Sequence, residues 1–549
     1  MRHMRWLAFV MLAAGVGLLG TARFAVASPA SYGGIFRYGT TGASVQVDPQ
    51  IAYITTAWWL EDATAAKLYT TSPQGTLVPQ VASGYTVSNG GRRYTFTIRK
   101  GFRFSDGTPV TARNFVYAID RVANKDLASP GAQFITDPNG TQIVGAARVN
   151  AGEAHHVRGV VAQGRELVIH LVRPDPSFLS KLTMPFFQAT STKLPLKHEV
   201  LGAYPSAGRY AFTHNEVNVL TSIRRNPYWT RGPGRLTPRH LTGVDLHWNQ
   251  NEQTLLADVR AGRLDEDPVI PPDEKQGLAD QYGVNKSRFW VEAEACIGFL
   301  AFNNQNRLFK GNAALRRAVN YAVDRTDYIA PAGPFAARPW SRLLSPAAVG
   351  SGATQPYPAH ANLAKARKLA RGHLRGGKIT VYYRSSGTTS PAQAQVVRNA
   401  LIALGFKPER ITMKGFSGGN IYAAMGVKGN DADIGISMSL CSDYPTGFGP
   451  ADPASFLSLW LEPQNSWFMP LGIHDAGYLR RFVAANRLHG VARLRALRKL
   501  DLDVTRNLAP AVVTMVPESA FFLSDRVDPG SLRFQPASAD WDIGALALK

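Results

Sequence analysis

FTIRKGFRFSDGTPVTARNFVYAIDR, residues 96–121, decides how this chain is read. The stretch changes period part way along. Tyr94, Phe96 and Ile98 alternate with polar residues, the two-residue repeat of a half-buried strand. Asp106-Gly107 is a turn signal. Thr111 can cap a helix, and beyond it Phe115, Ile119 and Val122 recur at helical spacing. Just upstream, Gly90-Gly91 supplies a hairpin turn. Strand, turn and amphipathic helix therefore follow one another closely, which is the vocabulary of an α/β or α+β fold.

The same vocabulary extends in both directions. Residues 34–39 form a strand signal at the start. Residues 127–160 read as loop, with Pro130, Pro138, Gly140, Gly145 and Gly152. A strand over 166–172 is closed by Arg173-Pro174. Strand pieces near 217–223, a strand at 243–248 and a helix over 251–261 follow, and 262–290 is polar and turn-rich. A second organisation then opens. It runs as strand 296–302, helix 312–329, short helix 361–370, strand 378–383, helix 392–404 and strand 411–414. Strand, helix and strand at that spacing argue for a βαβ unit in a parallel or mixed sheet. A strand at 433–438 and helices at 455–460, 476–485 and 488–502 come next. Two apolar pieces, 512–516 and 520–524, close the chain. The class is α/β, and 549 residues exceed what one core accommodates, so at least two lobes are expected.

The first residues argue for export. Arg2 and Arg5 precede an apolar run over 6–20, and Ala25-Val26-Ala27 is an A-x-A site. This predicts a signal peptide over 1–27, cleaved after Ala27. The alternative, a retained anchor, meets a run shorter than the ~20 apolar residues of a comfortable span. The protein is expected in the periplasm or on the extracellular side of the cytoplasmic membrane. No cysteine lies near the cleavage site, so no lipid anchor on an N-terminal Cys is expected. Net charge is +22, of which Arg2, Arg5 and Arg23 leave with the signal. The basic residues are spread along the chain rather than gathered in a stripe, which argues against nucleic acid. Solubility or attraction to an anionic surface explains them. Arg493, Arg495, Arg498 and Lys499 read as the wet face of an amphipathic helix. Cys296 and Cys441 are the two cysteines, a number compatible with one disulfide in an exported chain.

Several segments together resemble one family. Gly33-Gly34-Ile35-Phe36-Arg37-Tyr38-Gly39 looks like its opening strand, and Leu77-Val78-Pro79-Gln80-Val81-Ala82 like a following segment. The stretch from Tyr94 to Val122 is close to its signature. Ser206-Ala207-Gly208-Arg209-Tyr210 matches a GTGPY segment with departures at Ala207 and Arg209, and Arg225 to Trp229 fits RNPYW. Leu300-Ala301-Phe302-Asn303 followed by Leu315 to Arg325 fits the segment opening a second lobe. The resemblance is to the extracytoplasmic solute-binding proteins of peptide, dipeptide and nickel ABC importers, solute-binding protein family 5. It implies a two-lobed periplasmic-binding-protein fold with a hinge, an enclosed interlobe cleft and an extra subdomain. The implied division is lobe I over 28–68, 202–295 and 510–549, its subdomain over 69–201, and lobe II over 296–509. It implies a monomer that captures a short peptide, stays peripheral to the membrane and docks on the transmembrane subunits of an ABC permease. No enzyme activity, cofactor, metal or nucleic acid is implied. The alternatives are nickel or another small solute, or a sensor or chaperone-like binding protein outside transport.

The resemblance also places residues. Cys441-Ser442-Asp443-Tyr444 resembles the segment whose aspartate meets the α-amino group of a bound peptide, and Asp443 is the match. A buried ammonium is costly unless paired, and a carboxylate offsets that cost. In the empty protein that carboxylate is expected to face water. Asp452, beyond a lengthened loop, is a rival for the amine, although an Asp before Pro453 also caps a helix. Cys296 and Cys441 occupy the places of two paired cysteines in oligopeptide-binding members, implying a disulfide beneath the ligand floor. Tyr444, Trp467 and Trp59, with Trp58 and Phe448, are candidate aromatic walls. The ligand carboxylate calls for an Arg or Lys, and 61 basic residues leave that choice open. Two further motifs are set aside. Gly415-Phe416-Ser417-Gly418-Gly419 has the G-x-S-x-G form of a nucleophile elbow, but no clear triad completes it. His155-His156 has no Cys or Asp partners at ligand spacing.

Overall fold

Alternation in 93–98 and helical spacing in 112–122 build one layer each. Arg93–Ile98 is a central strand of a four-stranded antiparallel sheet, between Ala82–Ser88 and Glu166–His170, with Val160–Gln163 outermost. The helix Ala112–Ala123 lies on it. Phe96, Ile98, Phe102, Phe104, Phe115 and Ile119 are buried in their shared core. Asn89, Gly90 and Gly91 all take positive φ in the hairpin that precedes it. The computed structural model describes residues 33–549 except 43–46, 73–74, 198, 200–201, 231, 235–238, 249, 350–353, 418–419, 428, 446–450, 463–470 and 537. The expected signal segment and its cleavage site lie outside the described residues.

Two larger mixed sheets form the lobes, and they share one strand. In the first, Ile35–Gly39 pairs in parallel with Gly243–His247, which continues antiparallel to Leu220–Arg225 and Tyr210–Glu216. On its other edge Ile35–Gly39 meets Glu266–Asp267. In the second, the order is Ile411–Phe416, Ile379–Arg384, Ile434–Cys441, Cys296–Phe302. The parallel pair Ile379–Arg384 and Ile411–Phe416 flanks the helix Thr389–Leu404, the expected βαβ unit.

The shared strand is Ala511–Leu523. Its first half pairs with Cys296–Phe302 in the second sheet. Its second half pairs with Phe289–Ala293 and Glu266–Asp267 in the first. Phe289–Ala293 in turn leads directly into Cys296–Phe302. The chain thus crosses twice, side by side, and few residues carry both crossings.

Three expectations are corrected here. The helix expected over 312–329 breaks into Ala313–Ala322 and Arg325–Ile329, because Asp324 caps a new start by accepting from the Asp327 N–H at 3.0 Å. The two closing apolar pieces are one continuous strand. The polar Pro517-Glu518-Ser519 between them marks where it leaves one core for the other, and Ala337–Pro339 and Phe289–Ala293 keep it extended by pairing. Arg493 is not on a wet face but buried, while Arg495 and Lys499 on the same helix are exposed. Among the described residues no helix is long and apolar enough to cross a membrane.

Candidate functional site

A cavity of about 610 Å³ lies between the lobes, at the end of the strand Ile434–Cys441. Cys441 stands directly opposite Cys296 on the neighbouring strand, and the two sulfurs are bonded. The disulfide implied by the resemblance is present, and Cys441 lines the cavity. The chain beyond it is held in a tight neck. The Ser442 hydroxyl donates to the Tyr444 carbonyl at 2.8 Å and accepts from the Asp452 N–H at 3.1 Å. The Asp452 N–H also reaches the Tyr444 carbonyl at 3.1 Å. Asp443 therefore projects from a fixed backbone.

Its carboxylate does not face open water. Tyr53, from the opposite lobe, donates its hydroxyl to Asp443 Oδ1 at 2.8 Å. Burial pushes the Asp443 carboxyl up to about 7, against the opposing pull of the Tyr53 hydrogen bond and the Lys181 charge. At neutral pH the group is poised between its two forms, and a cation placed beside it draws it to the carboxylate. Tyr444 is buried in the apolar core around Phe134, with the Lys181 ammonium 5.7 Å from its ring centre, and it forms part of the cavity wall.

Asp452 is placed elsewhere. It is 1% exposed, and both its oxygens take Arg493 donors, at 2.8 and 2.9 Å. Its Oδ1 also accepts the Ala454 N–H, capping the helix Pro453–Leu461. The structure thus shows Asp452 capping a helix and pairing with Arg493, away from the residues that line the cavity. Trp59 does not reach the cavity either. It is 1% exposed in the core of the first lobe, with its indole N–H on the Trp541 carbonyl. One residue earlier on the same helix, Trp58 points the other way and lines the cavity beside Tyr53 and Phe186. Trp467 and Phe448 lie outside the described residues.

The cavity wall also holds groups the sequence did not single out. Asp137, Glu294 and Glu462 line it along with Asp443, and so do Lys181 and Arg384. Burial raises the carboxyls of Glu294 and Asp137. Lys181 is committed, at 3.2 Å from Asp175 and 3.0 Å from the Thr141 hydroxyl. Arg384 is not. Its Nη2 donates to the Tyr422 hydroxyl at 2.9 Å, and its buried Nε has no hydrogen-bond partner among the described residues. Its place at the carboxyl end of a strand was the available signal, since ligands gather there in open α/β sheets. Nothing local marked Tyr53. Glu294, Cys296 and Cys441 bring three ligand-type atoms within 4.8 Å of one another, but both sulfurs are spent in the disulfide.

Comparison with known proteins places this geometry. A family model described as bacterial extracellular solute-binding proteins, family 5 Middle, matches residues 76–468. The probable deoxycholate-binding periplasmic protein YgiS of Escherichia coli is 28% identical over 238 residues, 41% of this chain and 42% of that protein. The glutathione-binding protein GsiB of Salmonella choleraesuis is 25% identical over 340 residues, 60% of each chain. The matched regions thus span less than two thirds of these relatives' own length. The murein tripeptide binding protein MppA of Escherichia coli superposes with a TM-score of 0.76 at 20% identity, over 95% of this chain and 99% of that one, a likeness of fold.

Proposed function

The chain belongs to the bacterial extracellular solute-binding proteins of family 5, and from that premise we propose that it captures short peptides and hands them to the permease of an ABC importer. Membership supports an extracytoplasmic solute-binding role. The observation that carries the peptide reading is Asp443: a carboxylate on a rigid neck, inside the interlobe cavity, near neutral in its titration. Such a group meets the peptide ammonium as an ion pair in a site closed from water. Arg384, at the cavity wall with its Nη2 on the Tyr422 hydroxyl, takes the opposite charge or a peptide carbonyl. Relatives and neighbours named for glutathione and a murein tripeptide support the same class.

In this reading the mature protein acts as a monomer. Peptide main chain lies in the cavity, lobe closure strips its water, and binding energy comes from the paired ends rather than from reading every side chain. The test is mass spectrometry of what the natively purified protein releases on denaturation. Short peptides with free amino termini are expected. A metal ion alone, or an empty protein indifferent to a peptide mixture, would contradict the reading.

A further inference from the structure

Tyr53 and Asp443 meet across the interlobe cavity, and each keeps an unused acceptor there. Tyr53 spends its hydroxyl proton on Asp443 Oδ1 at 2.8 Å. Among the described residues no donor reaches the phenol oxygen, and none reaches Asp443 Oδ2. Both side chains are half-buried and line the cavity, and Oδ2 is not sealed from it. Neither residue is free to drift. On one side, Asp48 takes two Arg121 donors at 2.9 and 2.6 Å in a fully buried pair. The Asp48 carbonyl accepts the Ile51 and Ala52 N–H groups, and the Ala52 carbonyl accepts the Trp58 indole N–H at 2.8 Å. The Tyr53 ring then packs against Trp58 and Phe186, with ring centres 5.7 and 5.5 Å away. On the other side, the Ser442 neck holds Asp443.

An ammonium brings three N–H donors and no acceptor. In a closed site each donor left unmade costs affinity. Asp443 Oδ2 takes one of them. The phenol oxygen stands 2.8 Å from the same carboxylate, so one nitrogen can lie within hydrogen-bond reach of both. A phenol donates and accepts at once, and donating to a carboxylate makes its oxygen the better acceptor. Burial and the Asp443 charge hold the Tyr53 hydroxyl well above its ordinary titration, so it keeps its proton. The protein's own nearby cation does not fill this seat, because Lys181 is held by Asp175 and the Thr141 hydroxyl. The two acceptors come from opposite lobes, and an ammonium between them ties the lobes together.

We propose that Tyr53 is a second direct partner of the ligand ammonium, accepting one of its N–H groups while its own hydroxyl holds Asp443 Oδ1. The inference rests on the peptide reading above. Its test is calorimetric titration of the whole mature protein and of Tyr53→Phe with trialanine, free and N-acetylated, between pH 5 and 8. The change keeps the ring against Trp58 and Phe186 and removes only the hydroxyl. Tyr53→Phe is expected to weaken free trialanine about ten- to a hundredfold, the range for a hydrogen bond to a charged group, and to leave the acetylated form unchanged. It is also expected to move the acid limb of the binding profile to higher pH, because a hydrogen bond that favours the Asp443 carboxylate is gone. A loss shared equally by both forms, with the acid limb in place, makes Tyr53 a packing residue and overturns this inference alone. Undiminished binding of the free form does the same. An original protein that does not distinguish the two forms overturns it together with the peptide reading.

Discussion

Asp443 illustrates what a single residue contributes and what its neighbours add. Its folded titration near 7 lies above the ordinary carboxylate value, so protonation is favoured in the empty protein. Two consequences follow with opposite signs. Stability contributed by this site is present at low pH and is lost as pH rises from the ordinary range through about 7. Affinity for an ammonium ligand behaves the other way, because the ligand needs the ionised form. Binding should tighten from pH 5 to about 7, then weaken again above about 8 as the free peptide amine loses its proton. At pH 6 binding should release close to one proton, measured as a calorimetric heat that changes with the buffer's ionisation enthalpy. A heat independent of buffer would remove Asp443 from the contact. Arg493 offers a contrasting case. Arg493→Met strands the Asp452 carboxylate in the core, and a loss of about 3–5 kcal/mol in chemical denaturation is expected. An unchanged denaturation midpoint would deny that pairing. The sequence showed Asp443 through its Cys-Ser-Asp-Tyr surroundings. It could not separate Asp452 from a ligand residue, because capping and ligand binding ask for the same side chain, and the deciding partner lies 41 residues away.

At the scale of elements, local pattern was read well wherever one core claimed the segment. The strand at 296–302 and the helix after Thr111 came through as expected, since alternation and helical spacing each reported one buried face. Pattern misled where a segment served two cores. Ala511–Leu523 looked like two pieces because its middle belongs to neither lobe's interior, and Phe289–Ala293 was hidden in a turn-rich stretch because its burial is supplied by that distant strand. The disulfide lies beside this crossing. It joins register partners on neighbouring strands and closes a separation of 145 residues. In the chain-entropy picture such closure is worth up to about 5 kcal/mol. Reduction, or Cys296→Ser with Cys441→Ser, should lower the stability in chemical denaturation by several kcal/mol and weaken peptide binding through the loosened neck at Ser442. Unchanged stability on reduction would show that strand pairing alone holds the floor.

For the whole molecule, two lobes joined by paired crossings make closure cheap and let a ligand bridge them. Tyr53 on one lobe and Asp443 on the other already meet through a hydrogen bond, and Tyr444 packs into the opposite apolar core. A peptide present at a hundred times its dissociation constant should stabilise the fold by about 2.7 kcal/mol, seen as a rise in melting temperature. Small-angle scattering should show no expansion on binding. Heating curves indifferent to every peptide would speak against capture. The two-lobed plan was legible from the change of organisation after residue 290, but the order of strands across the shared sheet was not, because it depends on pairings of both terminal strands with segments in the middle of the chain, more than 170 residues away. The most direct test of the central claim is a four-way calorimetric titration: original protein and Asp443→Asn, each with one peptide in free and N-acetylated form. The account predicts that either change alone costs about thirty-fold to several thousand-fold in affinity, the range for truncating one partner of a buried charged pair, and that the second change then costs little more. Losses that simply add would show that Asp443 and the peptide ammonium do not meet.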